Sequence, residues 1–452
     1  MDPTIAMILK EFSLDEYRPI IPRELDLGEP LPPRAGNLVK AITGMRRSGK
    51  TYRLFQEMDR IHRSGVPWSR IWYFNFEDNR LAPITPRTGD DVLEAIRYLG
   101  DTDPQDGLYL FFDELQEMEN WGAWLRRVVD TTKATIYASG SSSKMLSKEI
   151  ATEFRGRALD FELLPYSFRE LLASDPDGTA LMEEKAWTAS ERARIQKRFD
   201  SYLERGGFPA VQGLPASQAS ALLQSYTQRV VARDVVERHN LAKPRLAAAL
   251  ARKLMGLNAR QLSVRKVEND LRSAGLASGR GYLADLVAHF EDAFLLFRVK
   301  EFSLSLSENT TAQPKVYAID PGLALANSKA GACDKGQRLE GAVYLELRRR
   351  CPSLRDGAIS LFRTKEHRYE VDFALGDVLD GEASQLIQVT EAMDGPKTSA
   401  RETRALWEAL SESGLDEGVI IVGNGDETEY EQGGKRIHQI PAWKWFIDPN
   451  RP

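Results

Sequence analysis

At 452 residues the chain exceeds what one hydrophobic core organises, and length alone suggests about three domains. Its 42% hydrophobic and 28% charged residues exclude a disordered or fibrous chain. A net charge of −5 excludes no class of partner, because a local basic face can coexist with an acidic average. The two cysteines, Cys333 and Cys351, form no C-x-x-C pair and no zinc pattern, as expected in a reducing compartment. The first ten residues lack the layout of a signal peptide, and no apolar run approaches the ~20 residues of a membrane helix. A soluble, cytoplasmic protein without membrane contact is the expectation.

Residues 1–36 are rich in proline and charge and read as an N-terminal leader on the domain surface. Leu38 to Thr43 then reads as a buried strand, and Leu54, Phe55, Met58 and Ile61 recur at helical spacing. A strand at 71–76, a helix near 90–99, a strand at 108–112, a helix near 121–132 and a strand at 134–138 follow. Strands alternating with helices predict a parallel sheet covered on both faces, over residues 37–170. Residues 171–240 read as a helical extension, broken at Arg205-Gly206-Gly207-Phe208-Pro209. Residues 241–310 give short helices with turns at Gly275 and Gly279. Over 311–452 come paired strands at 359–364 and 368–375, a strand at 385–390, a helix at 399–412 and a strand at 418–423. That is a second, smaller α/β domain.

Between the first strand and first helix lies Gly44-Met45-Arg46-Arg47-Ser48-Gly49-Lys50-Thr51, a complete phosphate-binding loop. Glycines let the backbone turn so that successive N–H groups face phosphate oxygens, and the helix N-terminus adds positive charge. Lys50 is expected to reach the β- and γ-phosphates and the Thr51 hydroxyl to ligate Mg²⁺. Gly44 to Thr51 with Tyr52 form the candidate nucleotide-binding set; Arg46 and Arg47 add positive potential. About 60 residues on, Leu108-Tyr-Leu-Phe-Phe-Asp113-Glu114 ends an apolar strand in two acids. Asp113 suits Mg²⁺ and Glu114 suits the attacking water, so ATP hydrolysis is expected. Ser141 is a candidate γ-phosphate sensor, or a serine in a helix-capping turn. Arg155 and Arg157 are candidates for an arginine supplied to a neighbouring subunit, or for surface salt bridges.

These motifs, with Phe112-Asp-Glu-Leu-Gln116, Ser139-Gly-Ser-Ser142, Leu164-Pro-Tyr-Ser-Phe-Arg-Glu170, Gly206-Gly-Phe-Pro209, Tyr317-Ala-Ile-Asp320 and Glu370-Val-Asp-Phe373, make a further connection. In that order they resemble prokaryotic AAA-type P-loop ATPases with a C-terminal domain of the DUF4143 kind, from about residue 37 to the end. The resemblance implies an AAA-type α/β core, a helical extension, a winged-helix segment over 241–310, and a PD-(D/E)XK nuclease-like domain over 311–452. It also implies many-subunit assembly, a hexameric ring being one form.

Nucleases of that fold need acids for a metal ion and a lysine for the charge on the attacking water. Glu340 is the expected helix acid and Asp372 the motif aspartate. The next strand reads Gln388-Val389-Thr390 where Glu-x-Lys would stand. Lys397 is a candidate for a migrated ammonium. Losing one carboxylate removes much of the attraction for Mg²⁺, so a nuclease-like fold without cleavage is favoured. Arg348, Arg349 and Arg350 are candidates for phosphate contact, or a solvated helix end. Arg265, Lys266, Arg272 and Arg280 could meet DNA around the Gly275–Gly279 turn. The favoured reading is an oligomeric, Mg²⁺-dependent ATP hydrolase acting on DNA. The alternatives are an ATP-gated nuclease and a nucleotide switch that binds a protein partner.

Overall fold

The computed structural model describes residues 2–100, 106–141, 157–183, 186–302, 313–329, 334–351, 358–377, 382–393 and 395–449. They divide into two compact units, Met1–Leu164 with Asp292–Phe294, and Pro165–Glu291 with Leu295–Pro452.

The first unit is built on a sheet of five parallel strands: β1 (Val39–Thr43), β2 (Ile71–Asn75), β3 (Leu108–Asp113), β4 (Ala134–Gly140) and β5 (Ala158–Glu162). Their order is β2-β3-β4-β1-β5, so β4 separates β1 from β3. Every residue of β1 and β4 is buried, as expected for central strands covered on both faces. Helices α2 (Lys50–Arg63), α3 (Pro86–Leu99) and α4 (Trp121–Thr131) connect the strands. α2 turns Leu54, Phe55, Met58 and Ile61 into one core cluster with Ile42, Phe111 and Tyr137. The α3 and α4 residues Val92, Ile96, Trp124 and Leu125 fill another, with Val39, Leu110 and Phe112.

The leader packs against the first unit and sinks apolar anchors into it. Its first helix, α1 (Pro3–Glu11), buries Ile5 and Leu9 in the α3–α4 cluster, while Leu14 and Leu27 enter the α2 cluster. Arg23 is buried too, and its guanidinium donates to the carbonyls of Ser48 (2.8 Å) and Leu164 (2.7 Å). Proline and charge had masked these apolar anchors, which are too widely spaced to show a period.

The second unit begins with helices α5 (Phe168–Leu172), α6 (Pro176–Glu183), α7 (Ala189–Arg205) and α8 (Ala216–Arg229), the last running into a π-helical stretch at Val230–Glu237. Next come α9 (Pro244–Met255), β6 (Arg260–Gln261), α10 (Val264–Ser273), α11 (Arg280–Asp292), β7 (Leu296–Val299) and β8 (Lys315–Ala318). The short strands form an antiparallel sheet ordered β6-β8-β7. After α12 (Pro321–Asn327) and α13 (Lys335–Arg350), six strands make a mixed sheet: β9 (Ile359–Arg363), β10 (Glu370–Asp377), β11 (Glu382–Ala392), β12 (Glu417–Asn424), β13 (Thr428–Gln432) and β14 (Lys435–Pro441). β9 pairs antiparallel with β10 as expected, and β11, β12 and β14 run parallel. α14 (Pro396–Ser413) buries Leu406, Ala409 and Leu410 against this sheet, and α15 (Ala442–Ile447) ends the described chain.

The break after α7 is set by Asp320. Its Oδ2 accepts the Gly207 N–H at 2.6 Å and its Oδ1 accepts the Leu323 N–H at 2.8 Å, capping α12. A Cβ on Gly206 would lie 1.9 Å from Asp320 Oδ1, and Gly206 has φ +74°, so glycine is required twice over. Asp320→Ala strips both buried N–H groups of their acceptor and should cost about 3 kcal/mol of stability. Urea unfolding checks this; a loss under about 1 kcal/mol would show that water replaces the carboxylate.

Candidate nucleotide site

Three strand ends bring the first unit's polar side chains together. β1 delivers the glycine loop, β3 ends on Asp113, and between them β4 carries Ser139, with Ser141 just past its end. Gly44 has φ +151°, and a Cβ there would meet the Leu163 carbonyl oxygen at 2.2 Å. Gly49 starts α2 at φ +103°. Both are positions where only glycine leaves the backbone free to curl.

Lys50, at the end of the loop, and Asp113, at the end of β3, are both buried. The Lys50 ammonium donates to the carbonyls of Gly44 (3.1 Å) and Met45 (3.4 Å) and lies 3.5 Å from Glu114 Oε1. Thr51 Oγ1 donates to Asp113 Oδ2 at 2.6 Å, and the Tyr73 hydroxyl donates to the same oxygen at 2.8 Å. Ser139 Oγ donates to Asp113 Oδ1 and accepts the Glu114 N–H at 3.1 Å. Glu114 is held at φ +49°. Gln116 Nε2 donates both to Glu114 and to Ser141 Oγ, the latter at 3.1 Å. Ser48 Oγ is buried and has no hydrogen-bond partner among the described residues.

Charge follows from this packing. Burial and the neighbouring Glu114 push the Asp113 carboxyl above the usual range, against its three hydroxyl donors. Burial also acts on Glu114, but Lys50 and Arg46 outweigh it and hold that carboxyl low. Burial and Asp113 raise the Tyr73 hydroxyl well above its ordinary value, so it stays a donor.

Arg46 and Arg47 part company. Arg46 is clamped between Glu77 (2.7 Å) and Glu117 (2.8 Å), so its charge is balanced inside the protein, whereas Arg47 is exposed at φ +72°. Tyr52 is exposed and meets Tyr17 edge-on at 6.3 Å. Arg157 pairs with Asp130 on the surface, the bland alternative for that residue. Arg155 lies outside the described residues, as does Cys333. Tyr73 and Arg23 were not among the expected site residues, and Gln116 stood in a motif without a role. A polar residue on alternate strand positions marks Tyr73, and Gln116 lies two residues after Glu114; Arg23 gives no local signal.

The second unit's candidates separate as well. Arg348, Arg349 and Arg350 are neither free for phosphates nor a solvated helix end. Arg348 stacks over Phe297 at 4.2 Å, Arg349 donates to the Pro165 carbonyl at 2.8 Å, and Arg350 pairs with Glu346 and stacks over Trp445 at 3.9 Å. Arg272 and Arg280 both pair with Glu268, while Arg265 and Lys266 are exposed on α10. Glu340 and Asp372 do converge, with Glu370, on Lys315, a residue absent from the expected set. Burial and Asp372 push Glu340 up to about 8 despite that lysine. Burial also bears on Glu370, but Lys315 and Arg363 hold it below the carboxylate range. Gln388 is buried beside them, Thr390 Oγ1 donates to the Ala392 carbonyl at 3.3 Å, and the Lys397 side chain lies outside the described residues.

Residues 36–172 match the AAA domain family, and with the five-stranded parallel sheet this defines the first unit as an AAA-type P-loop ATPase domain. Over 422 residues the chain is 33% identical to the uncharacterized protein MJ1544 of Methanocaldococcus jannaschii, spanning 91% of this chain and 88% of the relative, and it belongs to that protein's family. An uncharacterized protein of Haemophilus influenzae is 25% identical over 80% of this chain and 84% of its own. Residues 196–334 match a domain of unknown function, DUF8612. Among solved structures, the Walker-type ATPase paby2304 of Pyrococcus abyssi aligns over 64% of this chain and 90% of its own, with 13% identity and a TM-score of 0.42. No helix among the described residues is long and apolar enough to cross a membrane.

Proposed function

We propose that the protein is an oligomeric, Mg²⁺-dependent ATP hydrolase that acts on DNA and carries a nuclease-like C-terminal domain that does not cleave. The observation that carries the hydrolytic part is the meeting of Lys50, Thr51, Asp113 and Glu114 at adjacent strand ends. Thr51 Oγ1 and Asp113 Oδ2 are two hard oxygens 2.6 Å apart, and Asp113 is a buried carboxylate beside a like charge. Such a pair fits Mg²⁺, which would neutralise charge on the β- and γ-phosphate oxygens.

Lys50 exchanges its loop carbonyls and Glu114 for the β- and γ-phosphate oxygens. Glu114 then orients a water for attack on the γ-phosphorus and takes its proton as the bond to the bridging oxygen breaks, releasing ADP and phosphate. Gln116 positions Glu114 and links it to Ser141, which supports reading that serine as the γ-phosphate sensor. Arg155 or Arg157 completes the site of a neighbouring subunit. Particle size measured with and without an ATP analogue and DNA tests assembly; a monomer under every condition counts against it.

DNA contact rests on the second unit. The order α9, β6, α10, α11, β7, β8 with an antiparallel β6-β8-β7 sheet supports reading this segment as a winged helix, and α10 exposes Arg265 and Lys266. Arg265→Ala with Lys266→Ala should weaken DNA binding alike for all sequences and reduce the salt slope by about 1–2. Fluorescence anisotropy at several salt concentrations reads this. ATP turnover indifferent to every nucleic acid tested would remove DNA as the load. DNA cleavage in Mg²⁺ or Mn²⁺ that disappears on Asp372→Ala would restore the gated-nuclease reading.

A further inference from the structure

Arg23 carries the leader's charge into the phosphate loop. Its side chain is buried, with Nη1 donating to the Ser48 carbonyl at 2.8 Å and Nη2 to the Leu164 carbonyl at 2.7 Å. Ser48 belongs to the loop, and Leu164 is the last residue of the first unit's main segment. One planar guanidinium therefore holds two stretches of main chain that lie 116 residues apart in number but side by side in the fold.

The backbone around Arg23 is fastened to α2, the helix that the loop opens. The Arg23 N–H donates to Gln56 Oε1 at 2.9 Å, and Gln56 Nε2 returns a hydrogen bond to the Arg23 carbonyl at 3.2 Å. Arg53 Nε donates to the Leu25 carbonyl at 3.0 Å. Gln56 and Arg53 both stand on α2, so the guanidinium reaches the loop from a fixed base.

The geometry of one peptide gives this contact its meaning. The Ser48 carbonyl shares a peptide plane with the Gly49 N–H, and in a trans peptide the two point opposite ways. A phosphate loop aims its N–H groups at the ligand, which turns the matching carbonyls inward, where each needs a donor. Arg23 is that donor for Ser48, and its charge makes the bond stronger than a neutral one. Gly49, at φ +103°, has no side chain to resist rotation of this plane. An outside restraint is needed there, and the leader supplies it.

We infer that Arg23 is a positioning residue of the nucleotide site: it fixes the Ser48–Gly49 peptide so that the Gly49 N–H faces the phosphates, which makes the leader part of that site. This deepens the reading of the loop as an ATP site and rests on it. The α- and β-phosphates that such a loop cradles are bound before and during transfer, so Arg23 acts on nucleotide affinity more than on turnover. Linkage makes the effect mutual: whatever leader docking adds to nucleotide affinity, nucleotide adds to leader docking.

The experiment measures binding of ADP and of inorganic pyrophosphate to the full chain by calorimetry, comparing wild type, Arg23→Met and Arg18→Ala. Arg23→Met keeps the length of the side chain but has no donor. It should bind both ligands roughly 10-fold more weakly, with the KM for ATP rising by a similar factor and kcat staying within about 3-fold. Pyrophosphate has no base, so a loss shared by both ligands lies in the phosphate cradle. Arg18 ties the leader to Asp59 on α2 at 2.6 Å, and Arg18→Ala should bind both ligands as wild type does. Equal losses in the two variants would trace the effect to leader attachment in general and overturn the inference. In wild type, hydrogen exchange of the Arg23 amide should slow by roughly 10-fold on saturation with ADP. That measurement decides the matter should Arg23→Met not fold: exchange over residues 20–27 that ADP leaves unchanged overturns the inference. Wild type that binds no ADP removes the ATP reading and this inference with it. Wild type that binds ADP no better than a folded Arg23→Met overturns the inference alone.

Discussion

Glu114→Gln should still bind ATP while turning it over roughly 10²–10⁴-fold more slowly. The amide keeps the size of the side chain and can still pair with Gln116, so the strand end at β3 is preserved. It loses the capacity to take a proton from the attacking water. It also loses the attraction for Lys50, whose ammonium lies 3.5 Å from Glu114 Oε1. Lys50 is then freer to meet phosphate, so the variant's ATP affinity should equal or exceed that of wild type. Single-turnover hydrolysis and equilibrium binding of a fluorescent ATP analogue separate the two effects. Normal turnover by this variant would move the water-orienting role elsewhere.

Lys50→Ala should fail at the earlier stage. A charge-assisted contact to phosphate contributes about 1.5–3 kcal/mol, which corresponds to a roughly 10- to 100-fold loss of ATP affinity. Removing a cationic clamp from the transferring group lowers turnover by a further 10²–10³-fold on an order-of-magnitude basis. The protein should stay folded, because among the described residues Lys50 pairs with the Gly44 and Met45 carbonyls and Glu114 alone. Circular dichroism melting provides that control. Unchanged affinity with unchanged melting would mean that phosphate is held by the loop backbone alone.

The contrast between these two residues and Lys315 explains what could be read before the fold was known. Gly44 to Thr51 are contiguous, and their conformational demands are local, so the spacing itself states them. Asp113 and Glu114 close an apolar strand, a pattern that burial on both sheet faces produces directly. The insertion of β4 between β1 and β3, and Tyr73 beside Asp113, depend on strand order. No local pattern encodes that order.

The second unit shows the same division more sharply. Its strands and helices follow from alternation and helical spacing, and β9 with β10 pairs as the sequence suggests. The arginine run at 348–350 resembled a phosphate-binding or solvated surface, because charge in sequence carries no information about burial. Only packing against Phe297, Glu346 and Trp445 shows that these guanidinium groups are internal.

The sequence by itself determined the phosphate loop and the acidic strand end, since each is a short-range pattern. Tertiary structure alone decided that the leader enters both cores, that Gln116 joins Glu114 to Ser141, and that Lys315 fills the acid cluster. The physical reason is separation along the chain. Lys315 and Asp372 are 57 residues apart, and only the pairing and packing of distant elements bring a buried ammonium to its carboxylates.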